Sequence, residues 1–134
     1  MKNKILLLKI LSSLSLLGAL VVTFLPCGVL IEGEYYSYFA KITFSKIGFI
    51  PGIICAFNAT IAIGSIVSIF LNKRALNITI GSFMFLLTTL SFVLIAFTKN
   101  VTNFIHPILC LISFISYVFI LLLDFKGENK NENN

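Results

Sequence analysis

Four uncharged, apolar stretches leave this chain few folds to choose from. They run from Ile10 to Ile31, Ile47 to Asn72, Ala75 to Thr98 and Asn100 to Leu123, and charged residues bound each one. Each can supply the roughly 20 apolar residues that an α-helix needs to cross a ~30 Å hydrocarbon core. All four are rich in Leu, Ile, Val and Phe and lack the polar stripe of a helix lying in the interface. Composition agrees: 58% of the 134 residues are hydrophobic and 11% are charged, where soluble domains carry about 25% charged residues. Too few polar side chains exist to cover a water-soluble fold of this size, so the bilayer has to be the solvent for most of it.

Prolines sharpen the limits. Pro26 follows the first run, where a helix can stop, and Pro51 and Pro107 stand near the starts of the second and fourth, where a missing N–H costs little. The predicted spans are 5–25, 48–71, 76–97 and 104–123, joined by an outer loop at 26–47. The fold class that follows is all-α, a polytopic membrane protein whose four transmembrane helices form an antiparallel bundle over residues 1–124. Residues 125–134 are polar and Asn-rich and are expected to be a disordered cytoplasmic tail. Lys2, Lys4, Lys9, Lys73, Arg74, Lys126 and Lys130 fall on one side, against Lys41, Lys46 and Lys99 on the other. The positive-inside rule assigns the first set, and with it both chain ends, to the cytoplasm of a cell membrane. That placement also explains the net charge of +5 without nucleic acid as a partner. A cleaved signal peptide is disfavoured, because the first apolar run is long and no A-x-A-like site follows it.

Helices in lipid associate through close packing of small residues and through interhelical hydrogen bonds. Ala56, Thr60, Gly64 and Ser68 recur at every fourth position of the second span and form the candidate packing ridge, expected to face the chain's own bundle. Asn58 is the most polar residue at depth and the candidate intramembrane contact, expected to make an interhelical hydrogen bond. Lys9, one turn from the inner edge, is expected to snorkel to water. His106, the single histidine, is expected at the outer interface ahead of a helix start. No nucleophile–base pair, metal-ligand spacing or cofactor motif is visible, so no catalytic, cofactor or metal site is predicted. Cys27, Cys55 and Cys110 all fall near the outer face, where small-residue packing is the favoured role and a disulfide the alternative.

The outer loop is the most distinctive segment, with Glu32, Glu34, Tyr35, Tyr36 and Tyr38 as a candidate recognition surface. Tyrosines at a membrane boundary also serve as ordinary anchors. The size and four spans resemble small multidrug-resistance exporters, but the glutamate that this resemblance requires in the first span is missing. The expected function is non-enzymatic: contact with another membrane protein or with itself, as an accessory subunit or an immunity-type protein. The alternative is a small oligomeric transporter or channel. Apart from these, the one partner predicted is the lipid bilayer.

Overall fold

The computed structural model describes residues 2–101 and 104–132. In chain order these form helix α1 (Lys2–Phe24), strands β1 (Val29–Ile31) and β2 (Glu34–Tyr36), a short helix α2 (Lys41–Lys46), and helices α3 (Ile50–Phe70), α4 (Arg74–Phe97) and α5 (Ile105–Glu132). The architecture is all-α with one added hairpin, and α1, α3, α4 and α5 are each long and apolar enough to cross a membrane. They close into a ring in which α1 packs on α5 and α3, and α4 packs on α5 and α3. The α1–α5 seam is the most extensive and the α3–α4 seam the thinnest.

The buried positions advance in alternating steps of three and four. They are Ile5, Lys9, Ser12, Leu16, Ala19 and Thr23 on α1, and Ile54, Asn58, Ile61, Ser65 and Ser68 on α3. On α4 they are Asn77, Ile80, Met84, Leu87, Ser91 and Leu94, and on α5 His106, Cys110, Ser113, Tyr117 and Ile120. A mean step of 3.5 residues is the spacing that keeps one seam facing its neighbours in a left-handed bundle. Polar and small residues occupy much of that seam, while large apolar ones face outward: Phe70 is 82% and Phe97 85% exposed. Such an inverted pattern is stable in lipid, where an outward phenylalanine meets acyl chains and an inward serine meets another polar group.

The expected outer loop is folded. Glu32 and Gly33 both adopt positive φ, 53° and 87°, as a two-residue turn of type I′ requires, and Val29, Leu30 and Ile31 pair with Tyr36, Tyr35 and Glu34. The hairpin is stitched down at three points. Leu30 N–H donates to the carbonyl of Asn100 at 2.7 Å, Val29 bridges Val101, and Tyr38 N–H donates to the carbonyl of Thr23 at 3.1 Å. Helix α2 ends at Lys46 with Ile47 as its C-cap, and Gly48 after it, with a φ of 94°, supplies the left-handed turn that stops a helix. Phe24, Phe39, Phe44 and Phe49 follow one another along the hairpin end of the bundle, the first pair stacked and the next two tilted, with centroids 5.2, 6.3 and 5.7 Å apart.

At the opposite end the expected tail departs from its prediction, because α5 continues through Glu132. An already nucleated helix propagates cheaply, and Arg74, the first residue of α4, holds the extension. Its guanidinium bonds Glu128 and lies 4.0 Å from the centroid of the Phe125 ring. Met1, Thr102, Asn103, Asn133 and Asn134 lie outside the described residues, so the last two positions of the predicted tail do as well.

Candidate functional site

Two polar clusters lie inside the bundle, one toward each end. The one at the end away from the hairpin begins at Lys9, which the seam position on α1 turns into the bundle rather than toward water. It is 1% exposed, so the expected snorkelling anchor is corrected to a buried ammonium. Its Nζ donates to the carbonyl of Ser68 at 2.7 Å and to Asn72 Oδ1 at 2.8 Å. Asn77 Nδ2 reaches the same Asn72 oxygen at 3.3 Å and Asp124 Oδ2 at 3.4 Å. Lys9 and Asp124 therefore communicate through two amides, without an ion pair between them. Toward the bundle centre, Ser68 Oγ lies 2.6 Å from Tyr117 OH, which is 3.3 Å from Ser65 Oγ, itself 2.8 Å from Ser13 Oγ. Ser12 and Ser113 pair on the α1–α5 seam at 2.5 Å and both approach Met84 Sδ.

The cluster at the hairpin end is centred on His106. Burial to 1% exposure replaces the expected interfacial position, because the second residue of α5 already points into the seam. Asn58 Nδ2 lies 3.1 Å from His106 Nε2. With the amide as donor, the imidazole carries its proton on Nδ1. Asn58 Oδ1 and His106 Nδ1 find no hydrogen-bond partner among the described residues. Tyr38 covers this pair, its ring centroid 5.8 Å from that of His106. Burial raises the Tyr38 phenol above its ordinary range, with Cys110, Cys27 and Cys55 adding to the effect. Thr23 Oγ1 lies 2.8 Å from Cys55 Sγ, and Cys110 Sγ lies 3.9 Å from His106 Nε2. Cys55 and Cys110 are buried thiols. No three His, Cys, Asp or Glu residues among those described come together as a metal site.

The sequence-derived candidates separate into three places. Asn58 is fully buried and makes its interhelical contact. Ser68 is buried, Gly64 half-buried against Ile80, and Ala56 and Thr60 face the bilayer. The candidate ridge thus turns off the bundle face as it approaches the hairpin end. Each step of four residues advances 400° on a helix of 100° per residue, so a strict row of fours drifts about 40° per step. The seam that does pack mixes threes with fours. In the hairpin, Glu32, Glu34 and Tyr35 are exposed and Tyr36 half-buried, with its hydroxyl donating to Glu34 Oε2 at 2.9 Å. That bond, followed by burial and the charges of Glu34 and Glu32, raises the Tyr36 phenol above its ordinary value. Tyr38 is 3% exposed and belongs to the interior, away from the other four.

Lys9, Asn72, Asn77 and Asp124 escaped the sequence reading as a group. The signal available for Lys9, Asn77 and Asp124 was the same seam spacing, which carries on from Ile120 to Asp124, whereas Asn72 lies past the end of α3 at Phe70, where helical spacing does not reach. Fold and interior together define a multi-pass helical membrane protein with a hydrogen-bonded polar core. Against known protein families, curated proteins and solved structures, the chain finds no match.

Proposed function

We propose that this chain is a non-enzymatic membrane protein that recognises another membrane protein through its outer hairpin, as an accessory subunit or an immunity-type protein would. The observation that carries this reading is the hairpin tip. Glu32, Glu34 and Tyr35 project from a turn held by backbone bonds to both neighbouring connections, with Tyr35 56% exposed. A rigid, exposed aromatic flanked by carboxylates is a low-entropy contact surface. The interior supports the same reading, because its polar groups are largely engaged with one another and leave the four-helix ring closed. In this proposal the chain sits in the cell membrane with the hairpin outside and both chain ends in the cytoplasm, as the lysine distribution favours.

The test is affinity purification from native membranes in mild detergent, comparing the natural chain with a Glu32→Lys, Glu34→Lys, Tyr35→Ala variant. A stoichiometric partner kept by the first and lost by the second is the expected outcome. Purification as a lone homo-oligomer that moves a solute across liposomes would overturn it. That result would favour the second reading, an oligomeric transporter or channel, for which the buried Lys9, Asn58 and His106 are the supporting observation. Cysteines placed at Gly33 and Lys73 and treated with a membrane-impermeant maleimide test the orientation, with labelling expected at Gly33→Cys in intact cells.

A further inference from the structure

A pocket of about 170 Å³ opens between α1 and α3 at the lysine-rich end, walled by Lys2, Ile5, Leu6, Lys9, Ile69 and Asn72. Lys2 and Lys9 are seven residues apart on α1 with Ile5 between them, which places all three along one helix face. The polar part of the wall therefore carries two ammonium groups and one amide, and no carboxylate. Lys9 is held in place: it is 1% exposed, and Ser68 O and Asn72 Oδ1 accept two of its three N–H bonds, at 2.7 and 2.8 Å. Enclosed and fixed in this way, it contributes its charge to the wall from a set position. Lys2, exposed at the rim, can fold over whatever enters. The rest of the wall is apolar, and Leu6, 43% exposed, continues it onto the bilayer-facing side.

This combination fits a molecule that is anionic at one end and hydrocarbon at the other. We propose that the inner α1–α3 pocket binds the phosphate of an anionic membrane phospholipid, with Lys2 on the phosphate oxygens, the enclosed Lys9 adding its charge from behind the wall, and an acyl chain along Leu6 and Ile69. The pocket volume is several times the ~30 Å³ share of one liquid water. A phosphodiester fits there, and the chains remain in the bilayer. Basic pockets between membrane helices take anionic headgroups for the same reason.

The test uses the full chain, stripped of lipid in detergent and titrated with phosphatidylglycerol, phosphatidylcholine or inorganic phosphate, with bound species counted by native mass spectrometry. Phosphatidylglycerol is expected to be retained in preference to phosphatidylcholine. Lys2→Gln should weaken it about fivefold, the worth of one lysine near an anionic surface, and Lys9→Met should weaken it further. Equal retention of the two lipids, or phosphatidylglycerol binding unchanged by Lys2→Gln, overturns the proposal. So does displacement of the lipid by millimolar inorganic phosphate, which would mark a free-anion site. Lys2→Gln alters an exposed side chain and decides the matter even if Lys9→Met does not fold.

Discussion

Tyr117→Phe removes one oxygen atom from the centre of the polar cluster that begins at Lys9, and the structure makes its effect calculable. Tyr117 is fully buried, and its hydroxyl lies 2.6 Å from Ser68 Oγ and 3.3 Å from Ser65 Oγ. Neither serine is stranded when it goes. Ser68 Oγ still donates to the carbonyl of Ser65 at 2.7 Å, and Ser65 Oγ keeps Ser13 at 2.8 Å. The penalty of about 1–3 kcal/mol for an unsatisfied buried group therefore does not arise. What remains is the net worth of interhelical bonds in a membrane, about 0.6 kcal/mol on average and ~1.7 at most, so the expected loss is about 1 kcal/mol. Tyr117→Ala instead deletes the whole ring of a fully buried side chain. The cavity it leaves should cost about 3–5 kcal/mol. Reversible unfolding of the purified chain, by denaturant titration in mixed micelles, measures both. A loss above 2 kcal/mol for Tyr117→Phe would refute the reasoning, since it would mean that the hydroxyl is a required link rather than a shared one. Equal losses for the two variants would refute it as well.

Glycines supply two contrasts. A Cβ on Gly28 would lie 2.6 Å from Tyr38 Cε1, whereas one on Gly64 meets nothing closer than 3.8 Å. Gly28→Ala should therefore cost about 1–3 kcal/mol by overpacking and lift Tyr38 off His106, and Gly64→Ala should be neutral or slightly stabilising, both read as thermal unfolding in detergent. Gly33 has open space around it but a φ of 87°. Gly33→Ala should cost about 1–2 kcal/mol from backbone strain alone and speed proteolysis of the hairpin, while Glu32→Asn, suited to the same turn, should slow it. Removing the carboxylate beside Tyr36 by Glu34→Gln should lower the pH at which that phenol ionises, read as absorbance near 295 nm. The elevated value of Tyr36 means that any support the pair gives the hairpin is full below the ordinary tyrosine range and fades as pH rises through the elevated one.

How much of this was legible beforehand depended on which physical signal each feature leaves. Crossing a membrane demands long uncharged runs, and the four helices were visible for that reason. Helix faces were not, because lipid removes the polar outer stripe that would reveal an inner one. Lys9 and His106 were therefore placed by their distance from the membrane edge, when the alternating three–four seam decides their direction. The hairpin did carry a signal that went unread: Val29–Ile31 and Glu34–Tyr36 flank a Glu–Gly pair, and Gly33 supplies the positive φ of a tight turn. The extension of α5 carried none, since polar Asn-rich segments read as tails until Arg74 and Phe125 are known to meet.

The seam between α1 and α5 has a consequence for how the protein is made. It joins the earliest of the four described crossings with the latest. While α3 emerges, Ser12 of α1 has neither of its side-chain partners, Met84 on α4 and Ser113 on α5. The ring cannot close until α5 leaves the ribosome. A nascent chain interrupted before that point would present unmatched polar groups to lipid, each at an energetic cost that the closed ring removes.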